Sequence, residues 1–194
     1  MTRPTCSTCL RPQATCICRW IAPTAAQVEV LILQHPLEVH NAKGSARLLH
    51  LSLPGSVMVT GEAFDPDELA ALLYAGGRSP VLLYPGADHP AEVCAPSNLR
   101  LVVLDGTWRK SRKMLHLNPL LQTLPRLALE GMPESHYRIR KAHAPNQLSS
   151  MEATVYALMR LEGSEAPLAP LLAAFDGFVD QQASYASRGL VPRT

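Results

Sequence analysis

A chain of 194 residues has room for one ordinary domain and a small appended lobe. With 47% hydrophobic and only 18% charged residues it can bury a core, which excludes a disordered chain, and a net charge of +2 confines any polyanion-binding surface to a local patch. No apolar run approaches the roughly 18 residues of a membrane span, and no basic flank leads into an apolar segment near the N-terminus, so the expectation is a cytoplasmic protein with no membrane association.

The first motif is Cys6-x2-Cys9-x6-Cys16-x-Cys18. Four thiols this close can converge as thiolates on one Zn²⁺, and the metal would hold a segment that has almost no core of its own. A redox pair needs only one Cys-x-x-Cys, and a disulfide scaffold implies secretion. A site closed by four sulfurs is structural, not catalytic. Residues 1–24 therefore form an expected zinc-binding knuckle, and 25–194 the main domain. Arg11-Pro12 and Arg19-Trp20 make the knuckle basic and aromatic, a composition suited to nucleic acid. Loss of the metal is expected to act on the knuckle's folding and binding and not on a pocket in the main domain. Cys94 is left over and carries no assignment.

Residues 28–33 (Val-Glu-Val-Leu-Ile-Leu) read as the first strand, which runs out into Gln34-His35-Pro36-Leu37-Glu38. Polar residues and a proline at a strand end mark a candidate ligand rim. A helix over 42–53, closed by Pro54-Gly55, precedes a short second strand over 56–60. Asp65-Pro66-Asp67-Glu68 opens the next helix, with Asp65 as N-cap, Pro66 at the first position and Glu68 spaced for a capping box. That helix stops at Gly76-Gly77. Residues 81–84 form a third buried strand, broken by Pro85-Gly86.

Residues 101–104 (Leu-Val-Val-Leu) read as a central strand covered on both faces. It ends on Asp105-Gly106, and Thr107 is a fair N-cap for an amphipathic helix over 108–117. Asp105 thus belongs at the carboxyl end of a buried parallel strand, beside a helix N-terminus, where open α/β sheets place ligands. Arg109, Lys110, Arg112 and Lys113 crowd the first turns of that helix. They oppose its dipole, a cost that a polyanionic partner would offset.

Residues 126–130 fit a fifth strand. The basic segment Tyr137-Arg138-Ile139-Arg140-Lys141 has no periodicity. Ser149 and Glu152 are spaced as a capping box for the next helix, and a final helix spans 168–186. Strands alternating with helices make an α/β domain with a mostly parallel sheet. There is no Gly-x-Gly-x-x-Gly, P-loop or Gly-x-Ser-x-Gly, and the histidines have no metal-ligand spacing.

Taken together, the cysteine motif, Gln34-His35-Pro36-x-Glu38, Leu104-Asp105-Gly106-Thr107-Trp108, and Tyr137-x-Arg-x-Arg140-Lys141 with Ser149-Ser150-x-Glu152 resemble the DTW-domain family, named for its Asp-x-Thr-Trp motif. Ser149-Ser150 stands where that family commonly has Ser-Thr, a change that keeps the hydroxyl. The resemblance implies a tRNA-uridine aminocarboxypropyltransferase: S-adenosylmethionine donates its 3-amino-3-carboxypropyl group to N3 of a uridine in the tRNA variable loop, leaving methylthioadenosine. It further implies a fold similar to the SPOUT RNA methyltransferases with a C-terminal trefoil knot, which sequence logic alone would not suggest. No obligatory protein partner is implied.

Asp105, the acidic residue well placed at the head of the central strand, is the candidate base for the N3 proton, with anchoring of the donor's ammonium as the competing role; Thr107 and Trp108 complete the reactive set. Thr107 and the N–H groups behind it suit the donor carboxylate. Trp108 would stack on adenine or uracil, or simply pack. Gln34, His35, Pro36, Leu83, Tyr84, Pro85, Leu104, Gly106, Ser149, Ser150 and Glu152 would frame the donor, Glu152 having its capping role as the alternative. Arg109, Arg112, Lys113, Arg138, Arg140 and Lys141 would hold RNA, with the donor carboxylate as a second possibility for Arg140 and Lys141. Two other functions stay open: an RNA methyltransferase using the same donor, and a zinc-stabilised RNA-binding protein without catalysis. The second does not explain a carboxylate at a buried strand end.

Overall fold

The computed structural model describes residues 4–86, 95–131, 135 and 148–187. Among the described residues five strands form one sheet: β1 Glu29–Gln34, β2 Val57–Thr60, β3 Ser79–Leu83, β4 Leu99–Asp105 and β5 Arg126–Leu127. Their spatial order is β2-β1-β4-β3-β5, and every pairing is parallel. The expected α/β class and parallel sheet are both present.

All seven residues of β4 are buried because helices cover both faces of the sheet. The two-residue period of the strand divides its side chains between two cores. Leu101 and Val103, with Val30 and Ile32, face α1 Ala46–Ser52, α5 Ser150–Glu162 and α6 Ala169–Ser187. Val102 and Leu104, with Leu31 and Leu33, face α2 Pro66–Tyr74, α3 Trp108–Leu117 and α4 Pro119–Gln122. Each such aliphatic side chain contributes about 1.5–3 kcal/mol by leaving water.

Two elements are clearly shorter than expected. The helix expected over 42–53 begins only at Ala46, because Asn41 closes a turn first: its side chain accepts from Lys43 N–H and its carbonyl from Gly44 N–H. The fifth strand, expected over 126–130, has two residues, since its partner β3 stops at Leu83 just before Pro85. At α2, Asp65 accepts from Asp67 and Glu68 N–H, the N-capping half of the expected box. The box at α5 is complete in both directions.

The cysteine knuckle packs on this domain. Cys9 and Ile17 belong to the same core as α5 and α6, and the Trp20 indole lies against Gly177 of α6, donating to Gln181. A Cβ at Gly177 would come within 2.1 Å of the indole, so only glycine permits this approach. Gln181 also accepts from Arg19, whose guanidinium lies 4.7 Å from the Trp20 ring centre. These groups, read from sequence as nucleic-acid contacts, are engaged within the fold. No helix among the described residues is long and apolar enough to cross a membrane.

Candidate functional site

Parallel pairing brings the carboxyl ends of β1, β4 and β3 to one rim. Gln34 and Asp105 are partners on the last rung between β1 and β4, both 5% exposed. Gln34 Nε2 donates to Asp105 Oδ2 at 2.9 Å, and Ser150 Oγ, from the start of α5, donates to Oδ1 at 2.6 Å. His35 N–H donates to the Asp105 carbonyl at 3.0 Å, fixing the backbone as well. Three motifs far apart in sequence therefore meet at one carboxylate.

Beside it, a cleft of about 120 Å³ is lined by Leu83, Tyr84, Pro85, Leu104, Gly106, Trp108, Ser149 and Ser150, all expected, and by Val103, Ser111, Leu148 and Ala153, which were not. Two wider hollows, of about 470 and 540 Å³, open at the amino ends of the strands, away from Asp105. The smaller cleft is the site candidate because Gly106, Trp108, Ser149 and Ser150 of the motifs line it at the carboxyl ends of the strands, and Ser150 reaches Asp105.

Thr107 caps α3, its hydroxyl accepting from Lys110 N–H at 3.4 Å. Trp108 is 48% exposed and meets Tyr84 edge-on, with ring centres 5.9 Å apart. Arg126 lies 5.7 Å over the other partner, Tyr84. A large aromatic left half in water beside a cleft is a ready stacking surface.

The cations of α3 are not equivalent. Lys110 pairs with the buried Glu38 at 2.7 Å, and Asn41 donates to the other oxygen of Glu38 at 2.6 Å. Lys113 pairs with Glu62 at 2.8 Å. Arg109 and Arg112 are exposed, the latter donating to the Trp108 carbonyl at 3.4 Å. Glu38 and Glu62 thus supply the negative charge that the first turns of α3 lack.

His35 is 4% exposed. Its Nδ1 accepts from Leu37 N–H at 3.1 Å, so the ring proton sits on Nε2, which donates to Glu62 at 2.8 Å. Lys113 first, and His35 second, hold the Glu62 carboxyl below its ordinary range. Pro36 opens the short 3₁₀ turn that follows. Glu152 is 2% exposed; it accepts from Ser149 N–H at 2.8 Å and from Ser135 Oγ at 2.8 Å, joining its capping role to a contact with Ser135. Arg138, Arg140, Lys141 and Cys94 lie outside the described residues.

Glu62 and Ser111 escaped the sequence reading. Glu62 follows β2 by two residues, and the strand-end argument that found Gln34 and Asp105 applies to it equally. Ser111 sits one helical turn beyond Thr107, on the face turned toward the cleft.

At the other end of the chain, the sulfurs of Cys6, Cys9, Cys16 and Cys18 all lie within 4.8 Å of one another. Cys6–Cys18 and Cys9–Cys16 are 3.6 and 3.7 Å apart. Tetrahedral Zn–S bonds of about 2.3 Å put sulfurs about 3.8 Å apart, so the donor set and spacing fit the metal. Backbone N–H groups of Cys9 and Thr8 bring the Cys6 thiol down to about 6, favouring the thiolate. Burial, and then the crowding of Cys16 and Cys6, push Cys18 up to about 12. A divalent cation at the centre would relieve that crowding of thiolates.

A family model described as "DTW domain" matches residues 3–183. The chain is similar to proteins named "tRNA-uridine aminocarboxypropyltransferase 2": 29% identical over 172 residues to that of Macaca fascicularis, covering 82% of this chain and 57% of the relative. The Drosophila melanogaster protein of the same name is 33% identical over 169 residues, covering 82% of this chain and 67% of the relative. "tRNA-uridine aminocarboxypropyltransferase A" of Arabidopsis thaliana is 27% identical over 138 residues, covering 58% and 50%. The chain thus spans little more than half the length of the first of these relatives. No solved structure matches it.

Proposed function

Because the chain belongs to the DTW-domain family, we propose that it moves the 3-amino-3-carboxypropyl group of S-adenosylmethionine onto N3 of a uridine in the variable loop of tRNA, with methylthioadenosine as the second product. The observation that carries this reading is the Asp105 carboxylate, held between Gln34 and Ser150 beside a strand-end cleft that Ser150 lines. The names of the relatives support the reaction and the RNA substrate.

In this reaction the uridine nitrogen attacks the carbon next to sulfur in the aminocarboxypropyl arm. The C–S bond breaks, its electron pair returns to sulfur, and the neutral thioether leaves without needing an acid. The same donor has a methyl group on that sulfur, so orientation selects the product. The protein's task is to clamp the amino-acid end of the donor.

Asp105 is the anchor of the donor ammonium in this reading. Gln34 on Oδ2 and Ser150 on Oδ1 fix the orientation of the carboxylate, which suits an anchor. The other described carboxylates near the cleft are similarly engaged: Glu38 by Lys110 and Asn41, Glu62 by Lys113 and His35, Glu152 by Ser149 and Ser135. The N3 proton then passes to solvent. The donor carboxylate lies at the N-terminus of α3 behind Thr107, and Gln34, His35, Pro36, Leu83, Tyr84, Pro85, Leu104 and Gly106 frame the rest. Trp108 stacks on the target base, which must leave its own stack to expose N3.

Zn²⁺ on Cys6, Cys9, Cys16 and Cys18 supplies structure, not chemistry. In this reading 1–24 is the metal knuckle and 25–194 a SPOUT-like, knotted catalytic domain in a cytoplasmic enzyme. Arg109, Arg112, Lys113, Arg138, Arg140 and Lys141 contact RNA. The test is incubation with unmodified tRNA and S-adenosylmethionine labelled in the carboxypropyl arm. Label and the matching mass on a uridine are expected; methylated RNA, or no binding of the donor, would overturn the assignment.

A further inference from the structure

We propose that Arg11 is a positioning residue that couples the cysteine knuckle to the donor cleft, an inference that rests on the function proposed above. Arg11 lies between Cys9 and Cys16, and its guanidinium lies 5.2 Å over the buried Phe178 ring. Its two terminal nitrogens fork onto the carbonyls of Ala42 and Gly44, at 2.5 and 2.7 Å. Arg47 returns the link from the other side, donating to the Thr8 carbonyl, between Cys6 and Cys9, at 2.8 Å. Two guanidinium bridges in opposite directions thus bind the metal loops to the segment entering α1.

That segment ends at Ser45, which is 4% exposed. Ser45 Oγ accepts from Met151 N–H at 3.3 Å, in the first turn of α5. N–H groups there have no partner within the helix, so a buried one depends on what is brought to it. The preceding residue is Ser150, whose hydroxyl donates to Asp105. The path is therefore continuous: knuckle, Arg11, the 42–45 turn, the start of α5, Asp105. If Arg11 releases the turn, Met151 N–H loses its acceptor and Ser150 drifts from the carboxylate. Lysine cannot substitute, because a single ammonium does not reproduce the planar fork on two carbonyls. Contrary to the sequence expectation, disturbing the knuckle then does reach the donor pocket.

Arg11→Met keeps the length and the packing on Phe178 while removing both donors. It is expected to retain zinc and tRNA affinity, to bind S-adenosylmethionine roughly 3- to 30-fold more weakly, and to exchange the Met151 amide hydrogen faster. Arg11→Lys should restore neither property. Ser45→Ala should speed the same exchange, and combining it with Arg11→Met should add little. Loss of tRNA affinity with unchanged donor affinity and unchanged Met151 exchange would make Arg11 a phosphate contact and overturn the proposal, as would additive effects of the two substitutions. Should Arg11→Met not fold, unchanged Met151 exchange in both Arg11→Lys and Ser45→Ala overturns it. Amide exchange is read without the donor. A wild-type chain that fails to bind S-adenosylmethionine would therefore sink the proposed function while the exchange result still decides the coupling.

Discussion

Gln34 and Asp105 share the last rung of the β1–β4 ladder, and the Gln34 amide donates across it to Asp105 Oδ2 at 2.9 Å. The register of a parallel pair thereby sets the geometry of the site. A one-residue slip would turn Gln34 to the other face of the sheet and take the bond with it. The carboxylate is aimed by a strand on one side and by a helix N-terminus on the other, both packed into the cores. That is the arrangement expected of a group that must hold a ligand in one orientation.

Asp105→Asn preserves shape and removes the charge. As an ammonium anchor, Asp105 should cost about 1.5–3 kcal/mol of donor affinity when neutralised, roughly 10- to 150-fold in Kd. The single-turnover rate at saturating donor should change much less. A general base would give the opposite pattern, with normal affinity and a rate lower by roughly 10²–10⁴. Calorimetric titration of the donor together with single-turnover kinetics on tRNA distinguishes the two. Wild-type values for both would reduce Asp105 to a turn residue.

Metal analysis of the purified protein should find one Zn²⁺ per chain, and Cys9→Ser should bind less. Cys9 is 2% exposed and shares its core with Ile17, so the loss reaches beyond the knuckle. A lower melting temperature is expected for the variant and for chelator-treated wild type alike. A metal-free chain with unchanged melting temperature would refute the site.

Glu62 predicts a pH dependence. Lys113 and His35 hold its folded carboxyl below the ordinary value of 4.5. A depressed carboxyl contributes stability that is complete above the unfolded value and is lost as pH falls through the folded one. The melting-temperature difference between wild type and Glu62→Gln should therefore be present near neutrality and close only below the ordinary carboxylate range. A difference that stays constant down to strongly acidic pH would mean that Glu62 acts through shape and not charge.

What could be read from sequence was local. The four apolar residues of β4, the Thr107 cap and the Ser149–Glu152 box each depend on neighbours a few positions away, and each is present. The same local logic failed where a nearby polar group intervened, as when Asn41 closed a turn and delayed α1 to Ala46. The Gln34 and Ser150 bonds to Asp105 depend on strand order and register, which no window of sequence contains. Charge was the least legible property. Arg11 reads as a nucleic-acid contact but forks onto two carbonyls, and Lys110 and Lys113 read as free cations but pair with Glu38 and Glu62.

That last distinction gives a prediction about RNA. Arg109 and Arg112 are exposed, and neither is in an ion pair among the described residues, whereas Lys113 carries Glu62 with it. A cation that neutralises a phosphate releases counterions, lowering log K by about 0.9 per contact for each decade of salt on duplex nucleic acid and about 0.7 on single strands. Replacing Arg109 or Arg112 with alanine should weaken tRNA binding and flatten the salt slope by roughly one contact each. Lys113→Ala should flatten it less, because part of its charge is already balanced, and should weaken the Glu62–His35 array instead. Binding isotherms for the three variants across a salt series test this. Equal slope changes would show that the Glu62 pair opens on RNA, and unchanged slopes in all three would return this face of α3 to solvent.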